Sequence, residues 1–291
     1  MRGDSEREIL KVSAFLSTIV VFLIAGFVLW QGLPILRREG LFSFILGREW
    51  VPSKGRFGVY PMIIGSIFVT FGALLFGVPL GVACAIFLAE VAPEWMVRLF
   101  KPTIQLLAGI PSVVYGFFGL TAVVPMIRMY LGGTGFSALA GSIILAIMIL
   151  PTIINISEDA MRAVPKEYKE GSLALGATEW ETTIKVVLPA ARSGIAASII
   201  LGMGRAIGET MAVLMVTGNT PHLPQVERNI SPFLKVFWLF LEPVRTLTGN
   251  VVLEMSYATG DHQSALFATG IVLFIMIIIL NVLANMAFNR R

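Results

Sequence analysis

The chain has 291 residues, of which 56% are hydrophobic and only 14% charged, with a mean hydropathy of +0.83 and a formal net charge of +4. Soluble domains carry about 25% charged residues, so this composition excludes an ordinary soluble globular protein. The small positive excess reflects loop topology, gives no sign of nucleic acid, and no such partner is expected. The single cysteine, Cys84, excludes an intramolecular disulfide and reads as a small buried hydrophobe in an apolar run.

The apolar blocks are continuous rather than alternating, which predicts helices and not a barrel. Residues 1–11 are polar and of mixed charge. An uncleaved first transmembrane helix is predicted from Val12 to about Leu33, because the run is too long for a signal-peptide core and no small-x-small cleavage pattern follows it. Residues 34–60 read as a polar loop with Arg37, Arg38, Arg48, Lys54 and Arg56. The second helix is predicted from about Met62 to Val91, with a kink at Pro79 between Gly77 and Gly81. After a short link, Ala92 to Lys101, the third apolar segment runs from about Thr103 to Tyr130 and is broken by Gly109-Ile110-Pro111-Ser112. Such a break at membrane depth is tolerated where the freed backbone meets protein or a water-filled cavity. The fourth helix is predicted from Phe136 to Ile156, with Pro151 near its end, and the fifth from Ser193 to Thr217. A polar region, Gly218 to Gln263, contains one segment, Phe233 to Leu241, that is too short to cross and reads as interfacial. The sixth helix spans Ser264 to Phe288.

The fold class is therefore an all-α, polytopic membrane protein with six transmembrane helices. Residues 1–61 form an N-terminal tail, first helix and extracytoplasmic loop. Residues 62–291 form a five-helix core holding a cytoplasmic loop at 158–190. With both termini in the cytoplasm, twelve Lys and Arg fall inside, nine fall outside, and Arg205 lies within a span; the bias favours that orientation.

There is no G-x-x-x-x-G-K-[ST], so the chain does not bind ATP through a P-loop of its own. Gly202, Gly204 and Gly208 lie inside an apolar helix, where Gly204-x-x-x-Gly208 has the spacing of close helix packing. His222 and His262 lack metal-ligand spacing, and no metal or cofactor is expected. Arg205 and Glu209 are the notable membrane charges. Each costs about 2.5–3.5 kcal/mol at the bilayer centre, so they should face protein or a water-filled path. At i,i+4 spacing they can share one helix face, either as a structural ion pair or as the lining of a translocation route.

The stretch Glu170 to Pro189 is mostly polar yet highly ordered in pattern. Gly176 supplies a turn between two short helices. Thr178 and Glu181 have capping-box spacing. Trp180, Ile184 and Val187 fall on one helical face, and Glu181 and Lys185 form an i,i+4 pair on another. A membrane protein has little reason to build so ordered a loop unless something docks on it.

Glu170-Gly171-Ser172, Gly176 and Val186-Val187-Leu188-Pro189 resemble the EAA loop of permease subunits in ATP-driven (ABC) importers, with Gly171 and Ser172 for two alanines and Val186 for an isoleucine. The resemblance implies a type I ABC importer permease fold and a docking helix for a cytoplasmic ATPase. It places Glu170, Gly171, Ser172, Ala174, Gly176, Ala177, Leu188 and Pro189 in the coupling element. Phe57-Gly58-Val59-Tyr60-Pro61, the run Ala108 to Phe118, and Gly204-Arg205-Ala206-Ile207-Gly208-Glu209-Thr210 are similar to phosphate importer permeases of the PstC type. That similarity implies a substrate path through Arg205 and Glu209, with Thr210 and Ser112 beside them. It also implies a second permease subunit, two ATP-binding cassette ATPase subunits and an extracytoplasmic phosphate-binding protein, all at a prokaryotic cell membrane, with ATP hydrolysis on a separate chain. Molybdate and sulfate permeases share the EAA loop and are the nearest alternative. An ion-coupled carrier would want several intramembrane carboxylates or an inverted repeat; the sequence has one such carboxylate and no clear repeat. A membrane enzyme would need a nucleophile–base pair or a metal cluster, which two isolated histidines do not supply.

Overall fold

The computed structural model describes residues 2–224 and 232–289. Arg228, Arg290 and Arg291 of the charge count lie outside them. Six helical segments are long and apolar enough to cross a bilayer: Leu10–Glu39, Tyr60–Val91, Ser112–Tyr130, Ala138–Arg162, Glu179–Gly208 and Asp261–Ala287. The all-α, six-span architecture is as expected, but several boundaries and one whole region differ.

Helix α1 (Arg2–Glu39) starts well before the apolar run and packs chiefly on the last helix. The region expected to be a loop is folded. It contains α2 (Leu41–Leu46) and a hairpin in which β1 (Trp50–Val51) pairs antiparallel with β2 (Arg56–Phe57), Trp50 facing Phe57. Phe44, Trp50, Phe57 and Val59 are buried with Leu247 and Leu266. Strands this short fall below the length at which period-two alternation registers in sequence.

Helix α3 (Tyr60–Ile86) continues through Pro79 and widens into a π-helical turn over Phe87–Val91. The third apolar segment is divided. Its first part joins the preceding link as an amphipathic helix, α4 (Glu94–Ala108), which ends at Gly109. After Pro111 the chain re-enters as α5 (Ser112–Phe118), a π-helical turn (Gly119–Val123) and α6 (Val124–Tyr130). The third span is therefore 112–130, not 103–130. Its 19 residues, at ~1.5 Å each, come close to the ~30 Å hydrocarbon core.

Helix α7 (Ala138–Arg162) begins at a Ser137 cap, whose hydroxyl accepts the Ala140 N–H at 3.1 Å. It runs past Ile156 to Arg162, so Pro151 lies mid-helix. The polar loop then holds α8 (Lys166–Ala174) and α9 (Glu179–Thr182). A π-helical turn over Thr183–Val187 joins α9 to α10 (Leu188–Gly208). The fifth span thus starts at Glu179, and Leu188 and Pro189 lie inside one continuous helical element. Pro189 fits because the first turn of α10 follows a register change, where a missing N–H costs little. The fifth span also stops early: after Gly208 the chain is extended and resumes as α11 (Met211–Val216). Beyond lie α12 (Pro232–Leu241), a short helix over the segment expected not to cross, then the unanticipated α13 (Leu247–Glu254), and α14 (Asp261–Asn289).

The centre of the molecule is α3 against α7. Gly77 and Gly81 open the α3 surface to Ile149 and Ile153; a Cβ on Gly81 would sit 2.8 Å from Ile153 Cγ2. Lipid tails are as apolar as a protein core, so close approach through small residues, rather than a hydrophobic gradient, drives this packing.

Candidate functional site

Two places carry the candidate chemistry. In the loop at 158–190, α8 follows Pro165 and ends at the turn set by Gly176, whose φ of +90° is the left-handed region glycine favours. The expected capping box is formed: Thr178 Oγ1 accepts the Glu181 N–H at 3.2 Å, and Glu181 Oε2 accepts the Thr178 N–H at 3.1 Å. The Lys185–Glu181 pair is also formed, at 3.1 Å. The proposed apolar face divides, because the π-helical turn shifts its register. Val187 is fully buried, whereas Trp180 and Ile184 are exposed, and so is Leu175 at 92%. Glu170, Gly171, Ala174 and Gly176 are exposed, Ala177 is half-buried, and Ser172 is half-buried with its hydroxyl 2.9 Å from that of Thr182. Leu188 is half-buried and Pro189 exposed on the helix that follows.

This loop is fastened to the membrane core by contacts that sequence reasoning missed. Lys169 Nζ reaches Glu90 Oε1 at 2.6 Å, on the π-helical turn closing α3. The fully buried Glu158 accepts Arg162 Nε at 2.7 Å and pairs with Lys101 of α4 at 3.2 Å. Arg162 also donates to the Leu88 carbonyl at 2.9 Å. Only the Glu158–Arg162 pair left a trace in sequence, its i,i+4 spacing. The π-helical turn leaves carbonyls without helical partners, and Arg162 satisfies one of them.

The second place is the gap in the fifth span. Arg205 lies in the last turn of α10, half-buried, and its Nη1 donates to Thr152 Oγ1 of α7 at 3.4 Å. A cation there complements the carbonyl end of the helix. Glu209 is extended (φ −69°, ψ 134°), so it does not share a helical face with Arg205, and no ion pair joins them among the described residues. Its side chain instead accepts the Ala212 N–H at 3.3 Å and starts α11. Thr210, half-buried, donates to the Gly208 carbonyl at 3.3 Å. Ser66, Thr70, Glu209 and Thr246 share a small internal cavity at the gap. Ser112 opens α5, which packs on α11 through Gly116 against Ala212 and Met215. Its side chain bonds to none of Arg205, Glu209 and Thr210. The expected break before it is real, and Tyr115 secures it by donating to the Leu107 carbonyl at 2.8 Å.

A break in one span with an arginine and a glutamate beside it is an arrangement transporters use to expose backbone and charge to a cargo at membrane depth. The comparisons with known proteins bear on the fold and the family. The chain is 44% identical to the probable ABC transporter permease protein YqgH of Bacillus subtilis (strain 168), covering 86% of this chain and 78% of that one. It is 34% identical to the phosphate transport system permease protein PstC of Xylella fastidiosa (strain 9a5c), over 99% of this chain and 91% of that one. In fold it is similar to a chain of a bacterial alginate ABC transporter solved with its alginate pentasaccharide-bound periplasmic protein, with a TM-score of 0.64 at 18% identity, covering 99% and 96% of the two chains. Residues 77–291 match the family of binding-protein-dependent transport system inner membrane components. The chain therefore belongs to that family, as a multi-pass permease subunit of an ABC importer with the type I fold.

Proposed function

We propose that this chain is one of two permease subunits that carry inorganic phosphate across a prokaryotic cell membrane, both termini being cytoplasmic. The observation that carries this reading is the near full-length similarity to a phosphate transport permease, 34% over 99% of the chain. Arg205 supplies the positive group that a dianion needs at depth; Glu209 and Thr210 border it at the gap, and Ser112 opens the neighbouring third span. Residues 62–291 act as the permease core, and 1–61 as its outer flank.

The energy comes from two ATPase subunits docked on the loop 158–190. Leu175 and Trp180 offer exposed apolar surface in the cytoplasm that a protein cleft would bury, and Glu170 lies on the same exposed element. Residues from Glu170 to Pro189 act as the transmission part, and an extracytoplasmic phosphate-binding protein delivers the cargo.

The test is uptake by the complex reconstituted in liposomes with its second permease, ATPases and binding protein. Phosphate should enter only with ATP, and excess molybdate or sulfate should not compete. Uptake of those oxyanions in preference to phosphate, or uptake by this chain alone without ATP, would overturn the reading.

A further inference from the structure

The extracytoplasmic side holds a buried polar cluster that none of the roles above uses. Glu254, at the end of α13, is 6% exposed. Its Oε2 accepts the Trp50 indole N–H at 2.8 Å and the His262 Nε2 at 2.8 Å, while its Oε1 accepts Arg245 Nη1 at 2.6 Å. One carboxylate thus joins the hairpin, α13, the first turn of α14 and the segment before α13. Arg245 goes further and donates through Nε to the Asn219 carbonyl at 2.9 Å. A carboxylate and a guanidinium removed from water are costly unless every lone pair and N–H finds a partner. Both Glu254 oxygens are partnered, although Asn219 Oδ1 and Asn250 Nδ2 beside Arg245 are not, so the cluster fixes geometry more than it adds stability.

What it fixes is the outer fragment of the fifth span. Helix α11 is held at both ends from the same segment. At its start, Thr248 Oγ1 donates to the Glu209 carbonyl at 3.1 Å. Past its end, the Val244 N–H donates to the Thr217 carbonyl at 2.9 Å, next to the Arg245–Asn219 bond. Asn219, whose carbonyl accepts that bond, takes the left-handed conformation, φ 53°. A third tie, Leu247 N–H to Ser66 Oγ at 2.9 Å, anchors α13 to α3.

We infer that Glu254 and Arg245 are positioning residues that clamp α11 to the extracytoplasmic hairpin, so that the hairpin and Glu209 move as one body. A partner bearing on the hairpin then acts on the gap in the fifth span directly. This deepens the proposed transport reading and rests on Glu209 bordering the substrate path.

The test uses the full chain in lipid nanodiscs and three variants. Trp50→Phe removes the indole N–H together with part of the buried ring, Glu254→Gln removes the charge and keeps the side-chain volume, and Glu49→Gln is a control in the exposed Glu49–Arg56 pair of the same hairpin. The Leu214 and Thr217 amides, bonded to the Thr210 and Val213 carbonyls, should exchange hydrogen about tenfold faster in the first two variants than in the control. Exchange in the buried middle of α7 should not change. Unchanged exchange in α11, or an equal rise throughout α7, would overturn the clamp. In the assembled importer, Trp50→Phe and Glu254→Gln should lower ATP hydrolysis stimulated by loaded binding protein about fivefold relative to Glu49→Gln. Undiminished stimulation would overturn the link to the partner. A wild-type complex that ignores phosphate would sink the substrate reading instead, and the exchange result would still decide the clamp.

Discussion

The loop at 158–190 and the cover at 242–262 are both polar insertions beside the same broken span, yet they are built in opposite ways. Past its ties to the core at Glu158, Arg162 and Lys169, the loop is made of near neighbours: a capping box, an i,i+4 pair and a glycine turn, with Leu175 and Trp180 left in the open. The cover is made of distant partners. Trp50 and Glu254 are 204 positions apart, and the carboxylate between them is almost fully enclosed. A region whose order is local can be seized and displaced by a partner without losing its shape. A region whose order is long-range holds other elements in place. On the proposed function, the difference suits the loop to transmission and the cover to positioning.

Substitutions can break this contrast. The largest loss should come from Glu254→Ala, which leaves Arg245 charged and buried; about 3–5 kcal/mol of stability should go, read as a lower thermal midpoint of the purified chain. Gly176→Val comes next, since a β-branched residue at φ +90° costs about 1–2 kcal/mol. Because the turn is exposed, that cost should appear as ATP hydrolysis no longer matched by uptake, while the membrane helices keep their melting profile. Thr178→Ala removes one half of the capping box and should cost about 1 kcal/mol, seen as faster amide exchange at Glu181. Lys185→Ala should be the mildest, about 0.3–0.5 kcal/mol for an exposed helical pair, and within error in a thermal melt. A loop variant more damaging to stability than Glu254→Ala would reverse the assignment.

Legibility in sequence follows the same division. The spans were readable because an apolar run of bilayer length needs no tertiary information. The capping box, the Gly176 turn and the break at Gly109–Pro111 were readable because their chemistry lies within a few residues. Helix α13 was not, since Thr246, Asn250 and Glu254 look like loop residues until Ser66, Arg245 and Trp50 enclose them. The interruption at Glu209 was also hidden. Gly208-Glu209-Thr210 carries no proline, and the helix stops there because the Glu209 carbonyl and side chain bond to Thr248 and to the start of α11. The i,i+4 spacing of Arg205 and Glu209 therefore described a helix that ends between them. Lys169–Glu90 and Lys101–Glu158 were invisible for the same reason as Trp50–Glu254: each partner is ordinary alone.

On the proposed function, the gap beside Arg205 passes phosphate while the loop supplies the drive. ATP-dependent phosphate uptake by the reconstituted complex carrying Arg205→Gln tests it most directly, with ATP hydrolysis measured in the same vesicles. The account predicts that uptake falls at least about a hundredfold, the loss of roughly 3 kcal/mol of charge-assisted stabilisation at depth, while the complex assembles and hydrolyses ATP. Unchanged uptake would reduce Arg205 to the cap of α10 and contradict the account.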